Sequence, residues 1–246
     1  MDISIEIAVA CSMFQRRLCW MFSSILQQKG DVPKLVLNLA YPRREGNPKT
    51  KYVCSMFKDN GLNIRELVLR NRLEFDQRGL IRNRQMETVD SDWLLWADAD
   101  MVYDPYFFED LGRQAMTNLK DDDKCVSASR YSLLPDYCCK FFNEQDIGKY
   151  PHIVDNVAEI VSKWPRRRRM SRNCGAGYFQ FANVSKIRKR FGNIYVDPSH
   201  AKDRSLSHIF RSDRQFRIML GGVTRINSKP QFHLNHERCL ETPRQW

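Results

Sequence analysis

Mostly apolar runs alternate with amphipathic segments through the first hundred residues. Runs rich in Ile, Val, Leu and Trp occupy residues 3–10, 34–40, 64–69 and 92–97. Such runs are typical of strands buried on both faces of a parallel sheet. The intervening segments have helical character: residues 14–28, 52–60 and 79–89. The alternation predicts an α/β fold whose mostly parallel sheet is flanked by helices and joined by right-handed crossovers.

The second half of the chain is less regular. Residues 105–120 and 153–164 predict helices, and residues 125–129 predict a strand. No repeat or linker divides the 246 residues, so we expect a single domain over 1–246. Within it, the regularly alternating half 1–104 is followed by the less regular half 105–246.

Composition excludes several classes of protein. Hydrophobic residues make up 42% and aromatic residues 11% of the chain, which excludes a disordered or low-complexity protein. The apolar runs are far shorter than the roughly 18 residues of a membrane span, and no signal peptide is visible. The eight cysteines form no C-x-x-C pair. We therefore expect reduced thiols and a cytoplasmic, at most membrane-peripheral, protein without a transmembrane anchor.

Positive charge is concentrated in one stretch of the sequence. Ten of the basic residues that give the chain its net charge of +11 lie between 163 and 190, where no acidic residue occurs. Two interpretations stay open for its Arg-Arg-Arg-Arg segment, residues 166–169. It is either a solvated loop or a gate that pairs with a donor diphosphate or an anionic acceptor. Nucleic acid and membrane phosphate are further candidate partners for the charge itself.

A pair of carboxylates stands at the end of the most apolar strand. Asp98 and Asp100 follow Trp93-Leu-Leu-Trp-Ala97 and are separated only by Ala99. Residues two apart on a strand share a face, so both carboxylates can bind one divalent cation, which in turn can bind a diphosphate. Other D-x-D triplets, at 90–92 and 121–123, have the composition of solvated turns. The strand context favours a metal site at 98–100.

The order of motifs resembles a known family. Gly79…Arg82-Asn83 precedes the strand that ends in Asp98-Ala-Asp100, and Asp104-Pro105 opens the next helix. This order resembles the GT-A fold glycosyltransferases, especially the inverting family-2-like group. The resemblance extends to the Gly-rich segment 174–192, to residues 210–222 around Asp213, and to His233-Leu-Asn-His236. It covers about 200 positions, and it implies a Rossmann-like GT-A fold.

The resemblance implies a role for each matching residue. Asp98 would contact the ribose or the metal and Asp100 would bind the metal, with His233 or His236 completing its ligands. Asp213 would be the general base that deprotonates the acceptor hydroxyl. The expected nucleotide-sugar contacts are Cys11, Ser12, Arg82, Asn83, Asp98 and Ala99. The expected acceptor or diphosphate contacts are Gly175, Ala176, Gly177, Arg169 and Trp164, the last by stacking on a sugar ring.

The implied reaction is transfer of a sugar from a nucleotide-diphosphate sugar to an acceptor hydroxyl, and a UDP-sugar is the expected donor. Mn²⁺, or Mg²⁺, would be the cofactor, because imidazole suits Mn²⁺ better. The acceptor would be a carbohydrate, a glycan or a glycolipid. The second strand lacks the acidic residue usual for base recognition, which leaves Asn38 as the candidate. Asp213 can alternatively cap a helix or pair with Arg217.

Three other functions compete with this one. An inactive protein that only binds sugar nucleotides would share the same site. A sugar-phosphate nucleotidyltransferase would carry a Gly-rich loop after the first strand, whereas residues 10–17 contain no glycine. A nucleic-acid-binding module would use the basic stretch, but it gives the D-x-D strand no role, so no nucleic-acid partner is expected. The sequence does not address the oligomeric state.

Overall fold

The fold comes from a computed structural model of the chain. The model describes residues 1–11, 15–43, 47–70, 77–119, 124–128, 130–134, 138, 151–169, 179–192, 216, 218 and 220–234. The strands are β1 Ser4–Ala10, β2 Lys34–Pro42, β3 Ile64–Leu69, β4 Trp93–Asp98, β5 Met101–Tyr103, β6 Cys125–Ala128, β7 Arg130–Leu133, β8 Arg166–Arg169, β9 Phe179–Asn183, β10 Val223–Ile226 and β11 Gln231–His233. The helices are α1 Gln15–Leu26, α2 Asn47–Asp59, α3 Arg78–Thr88, α4 Phe107–Met116, α5 Val157–Ser162 and α6 Val184–Phe191.

The first sheet has seven strands in the order β10-β6-β9-β4-β1-β2-β3. β4, β1, β2 and β3 run parallel to one another, whereas β9 is antiparallel to β4 and to β6. This mixed, mostly parallel sheet confirms the predicted α/β fold class. Its parallel strands end at one edge, where ligands collect in folds of this type.

Both faces of the first sheet are covered. On one face Ile5, Ile7 and Val9 pack with side chains of α1 and α2, such as Phe22 and Phe57. On the other face the alternate positions, including Ala8, Leu94 and Trp96, pack with Met86 of α3 and Ile187 of α6. Burial on both faces explains why these strands are mostly apolar in sequence.

A second sheet has four strands in the order β5-β11-β7-β8. β5 follows β4 after two residues, so the chain passes from one sheet to the other at Ala99-Asp100. β11 pairs antiparallel with β5 and parallel with β7, and β8 forms the antiparallel outer edge. The pattern of the sequence did not predict β5, because three residues are too few for a periodicity signal.

The arginine run is a strand rather than a solvated loop. Arg166–Arg169 pair with β7, and the Arg166 guanidinium lies 4.9 Å from the Tyr131 ring centroid and 5.5 Å from that of Phe232. Strand pairing and these cation–π contacts order a segment that charge alone would leave in water. The loop interpretation of the run is therefore wrong.

Several boundaries also differ from the predictions. α2 begins at Asn47 rather than 52, since a proline in the first turn, here Pro48, interrupts no helical hydrogen bond. α5 begins at Val157, four residues later than predicted, after Asn156 adopts a left-handed φ of 49°. None of the helices in the described part of the chain has the length and apolar content needed to cross a membrane.

Candidate active site

The carboxyl ends of three neighbouring strands meet beside Asp98. Asp98 is the last residue of β4 and lies opposite Ala10, the last residue of β1. The next residue, Cys11, is fully buried, and its N–H donates a 2.9 Å hydrogen bond to the carbonyl of Ala40 in β2. The backbone here is therefore fixed by the parallel ladder, and the edge presents Asp98 next to the end of β1.

Asp100 and His233 are in direct contact. His233 Nε2 lies 3.1 Å from Asp100 Oδ2, and the two residues are 8% and 5% exposed. The neighbouring backbone fixes the pair, because the Leu234 N–H donates a 2.8 Å hydrogen bond to the Asp100 carbonyl. The pairing of His233 with Met101 brings β11 to the same point. The structure thus brings together two of the predicted metal ligands, which are 133 positions apart in the chain.

The carboxylates of Asp98 and Asp100 repel each other. Burial, and then the nearby Asp100 carboxylate, raise the pKa of Asp98, whereas Arg78, His233 and Arg130 lower it. The pKa of Tyr103 is also raised, by burial and by the charges of Asp98 and Asp100. Its hydroxyl is buried and has no hydrogen-bond partner within the described residues. A cation between the carboxylates would relieve the repulsion that raises the Asp98 pKa.

Asp98, Asp100 and His233 are residue types that could hold a divalent metal. Carboxylate oxygens are ligands that Mn²⁺ prefers, and imidazole is a ligand of several transition metals, although Asp100 and His233 contact each other in this structure. The part of the chain that the structure describes contains no group of three or more His, Cys, Asp or Glu side chains placed to hold a metal ion. The pair would therefore need oxygen ligands from substrate or water, as is common for ions that bind phosphates.

Arg82 and Asn83 lie on α3, beside the same edge. Arg82 Nη1 donates to Gln180 Oε1 at 3.5 Å, and Gln180 lies on β9 opposite Trp96, two residues before Asp98. Asn83 is 8% exposed. Arg82 thus contacts the strand that neighbours β4, near the carboxylates.

Asn38 does not reach this edge, contrary to the prediction for base recognition. It lies opposite Ala8 in the middle of the ladder, two residues before Ala40. Its Nδ2 donates to Glu6 Oε1 at 2.7 Å and to Thr88 Oγ1 at 3.0 Å. The amide is part of a buried polar network beneath α3, so that prediction was wrong.

The remaining predicted site residues are only partly covered by the described structure. Trp164 is 6% exposed, and its ring centroid lies 5.6 Å from that of Trp20. Its ring belongs to the core in this structure, so no sugar contact is assigned to it. Arg169 is described as the last residue of β8. The residues outside the described part are Ser12, Gly175, Ala176, Gly177, Asp213 and His236.

Sequence reasoning missed two cations of this site. Arg78, the first residue of α3, and Arg130, the first residue of β7, both lower the pKa of Asp98 and so lie near it. Arg78 directly precedes Gly79 of the motif, and its place at the start of a helix before the D-x-D strand was the available signal. Nothing in the local sequence of Arg130 pointed to the site.

Comparisons with known proteins give the fold a family context. No family model and no curated protein matches the chain. The structure of S. aureus TarS residues 1–349 with UDP superposes with a TM-score of 0.61 at 7% identity, over 94% of this chain and 60% of that one. The mannosyltransferase PcManGT from Pyrobaculum calidifontis, in complex with GDP-Man and Mn²⁺, gives a TM-score of 0.58 at 11% identity, over 95% and 57%.

These similarities confirm the fold that the motif order implied. The chain has the fold of glycosyltransferases whose structures were solved with sugar nucleotides. It spans 36% of the longer TarS structure and at most 60% of the shorter ones.

Proposed function

We propose that this chain is a metal-dependent, inverting glycosyltransferase. It moves a sugar from a nucleotide-diphosphate sugar to a hydroxyl of a carbohydrate, glycan or glycolipid, and a UDP-sugar is the donor that we propose. The observation that carries the proposal is the contact of Asp100 with His233 at the end of the D-x-D strand. The shared fold supports it, because structures with this fold hold UDP, UDP-GlcNAc or GDP-Man with Mn²⁺.

Each residue of the site has a role in donor binding. Asp100 and His233 would hold Mn²⁺, and Asp98 would bind the ribose or the same ion. When bound, the metal supplies Lewis-acid stabilisation of the leaving diphosphate. Arg78 and Arg130 lie near enough to Asp98 to shift its pKa, and so they can neutralise phosphate oxygens beside it. Cys11 and Ser12 would line the base, with Arg82 and Asn83 near the nucleotide.

The acceptor would approach from the side opposite the leaving diphosphate. A single carboxylate that removes its proton gives one displacement and an inverted anomeric centre. We assign this role to Asp213, and we assign the backbone contacts of the acceptor to Gly175, Ala176 and Gly177. His236 is the alternative to His233 as the histidine that completes the metal ligands. We also propose one domain, with donor contacts in 1–104 and acceptor contacts in 105–246. We further propose that the thiols are reduced and that the protein is cytoplasmic, or at most membrane-peripheral.

Calorimetric titration of UDP and GDP, with and without Mn²⁺, tests the donor site. We expect Mn²⁺-dependent binding that falls at least about tenfold in Asp100→Asn, since ligand loss weakens metal affinity by such factors. Asp59→Asn, at the exposed end of α2, is the control for loss of a carboxylate and should bind as the wild type does. Binding that ignores both the metal and Asp100→Asn contradicts the proposal.

Asp213→Asn tests the general base separately. The variant should bind UDP and Mn²⁺ normally but lose sugar transfer by orders of magnitude, because the neutral amide accepts no proton from the acceptor. Transfer is measured as release of nucleoside diphosphate with a panel of sugar acceptors. A wild-type rate with intact donor binding would remove Asp213 from the mechanism.

A further inference from the structure

The two faces of the second sheet differ in character. Val102, Phe232 and Leu133 share one face and pack with Trp164 and α5 in an apolar core. Opposed residues of neighbouring strands lie on the same face, and successive residues alternate. The other face therefore carries Met101, His233, Ser132 and Arg130, and we name it the histidine face.

The strand register divides the four arginines of β8 between these faces. Arg167 lies opposite Ser132 and Arg169 opposite Arg130, so both positions are on the histidine face. Arg168 lies opposite Tyr131 on the apolar face. Arg166 shares that face, as its contacts with the Tyr131 and Phe232 rings require. Only the odd-numbered positions are thus on the face of the metal site.

A polar row runs across the histidine face from the metal site to the outer edge. It passes from His233 to Ser132 and then to position 167, a span of two strand spacings, or about 10 Å. Ser132 is 3% exposed, and its hydroxyl has no hydrogen-bond partner within the described residues. The Ser132 hydroxyl is therefore available, among the described residues, to donate to a group bound in the row.

The donor does not need the charge at positions 167 and 169. A divalent ion offsets the charges of Asp98 and Asp100. Arg78 and Arg130, which lie near Asp98, then offset the diphosphate, which carries one negative charge per phosphate. The charge of β8 is therefore in excess of the donor's requirement and lies further from the metal ligands.

The basic residues of α6 cannot supply the same surface. β9 runs antiparallel to β4 and ends at Asn183, opposite Trp93. Trp93 lies five residues before Asp98, so α6 begins about 16 Å from the carboxyl edge of the sheet. Among the residues of the stretch 163–190 that the structure describes, β8 and α6 thus form two separate surfaces, of which β8 adjoins the metal site.

We propose that the acceptor carries an oxyanion, a phosphate or a carboxylate, which binds at positions 167 and 169 on the histidine face. The inference rests on the proposed glycosyltransferase function and defines its acceptor class. Arginine is the side chain best suited to such groups, because its guanidinium pairs with two oxygens at once. The anion would hold the acceptor beside the metal site while its hydroxyl reaches the donor sugar.

The test compares two adjacent arginines in the protein saturated with UDP and Mn²⁺. Glycerol 3-phosphate and glucuronate are titrated as the phosphate and carboxylate probes, with glycerol and glucose as neutral controls. We expect the wild type to bind at least one anionic probe and neither control. Arg167→Gln should weaken that binding about tenfold or more, as does loss of a charge-assisted hydrogen bond, and Arg169→Gln should act in the same direction. Arg168→Gln removes the same charge at a position opposite Tyr131, on the apolar face by register, and should change the binding less than about twofold.

Each outcome has a defined meaning. The stronger probe identifies the oxyanion as phosphate or carboxylate. Equal losses in Arg167→Gln and Arg168→Gln, or no binding of either probe to the wild type, overturn the inference. A loss of UDP affinity in Arg167→Gln also overturns it, because the arginine would then serve the donor. Failure of UDP and Mn²⁺ to bind the wild type contradicts the proposed function instead. Thermal melts confirm that each variant is folded. If Arg167→Gln does not fold, the binding of the same probes to Arg169→Gln tests the inference instead.

Discussion

Removal of the Arg65 guanidinium should leave the buried Glu6 carboxylate in the middle of the first sheet without its cationic partner. Glu6 is fully buried on β1, and Arg65 Nη1 lies 3.2 Å from both of its carboxylate oxygens. Arg65 also donates to Asp90 Oδ1 at 2.9 Å and to the carbonyl of Thr88, the last residue of α3. The network therefore fastens the carboxyl end of α3, the helix that carries Arg82, to the sheet.

The expected cost of Arg65→Met follows from this geometry. Removing one partner of a buried ion pair costs about 3–5 kcal/mol. The Arg65 side chain is 32% exposed, so solvent already screens part of the interaction and about 2–4 kcal/mol is expected. For a chain of this size that corresponds to a fall in melting temperature of roughly 5–15 °C. Lys58→Met breaks the exposed pair with Glu66 and should cost less than about 1 kcal/mol.

The cost of Arg65→Met should depend on pH. Burial raises the pKa of Glu6, whereas Asn38 and Arg65 lower it, so loss of Arg65 raises it further. A carboxyl whose folded pKa exceeds its unfolded pKa loses stability as pH rises through the interval between them. The penalty should therefore grow as the pH rises through that interval and shrink at acidic pH, where Glu6 becomes protonated in the folded variant.

Urea unfolding at several pH values, followed by fluorescence, measures the effect. Glu6→Gln combined with Arg65→Met should recover most of the lost stability, because no charge is then buried. An equal penalty at every pH, or a double variant as unstable as Arg65→Met, would refute the assignment of Glu6 as a buried charge stabilised by Arg65.

Two further predictions concern local backbone geometry. Gly30→Ala should cost slightly more than the 1–2 kcal/mol of a positive φ, here 83°, because its Cβ would lie 2.5 Å from Glu109 Cδ and displace that flexible carboxylate from the Asp31 N–H. Gly61→Ala, with φ of 95° and no atom within 4 Å, should show the φ cost alone, and an equal loss in both by urea unfolding would contradict the steric part. Asn183→Ala should cost about 1 kcal/mol, since Asn183 Oδ1 accepts from the Lys186 N–H at 3.2 Å and caps α6. Asn183→Asp should retain stability in the same assay, and a loss equal to that of alanine would exclude capping as the cause.

The sequence predicted the first sheet well, because its signals are local. Each strand from β1 to β4 is a mostly apolar run, and each run falls within two residues of its observed place. The D-x-D pair could be located for the same reason, since it directly follows β4. Where burial on both faces sets the composition of a strand, composition is sufficient to find it.

The second sheet could not be predicted in this way. β5 and β11 have three residues each, and β11 joins β5 and β7 from about 100 positions further along the chain. The place of Arg130 near Asp98 depends on this non-local register. Asn38 was misplaced for a related reason, because its partner Glu6 lies on another strand. Residue type suggested base recognition, whereas strand register placed the side chain in a buried network.

The net charge of the chain also changes meaning once the register is known. The basic stretch 163–190 is continuous in sequence, where it forms a single concentration of positive charge. The antiparallel direction of β9 instead carries α6 to the opposite edge of the first sheet. β8 remains on the second sheet, and its alternation leaves only positions 167 and 169 on the face of His233. Two of the ten charges therefore carry the acceptor hypothesis, which makes it testable by single substitutions.

The position of the D-x-D turn explains how one site can serve two anions. Asp98 ends the first sheet, whereas Asp100 precedes the second and contacts His233 of that sheet. Ala99 between them is 6% exposed, so the step from one sheet to the other is tightly enclosed. The residues of α3 that we propose as donor contacts lie beside this junction on the first sheet, and the row from His233 to position 167 extends away from it on the second sheet. A metal held at the junction would bind the diphosphate of a donor on the first sheet. An acceptor bound along the second sheet would then have to present its hydroxyl to the anomeric carbon on the side opposite that diphosphate, because a single displacement with inversion requires it.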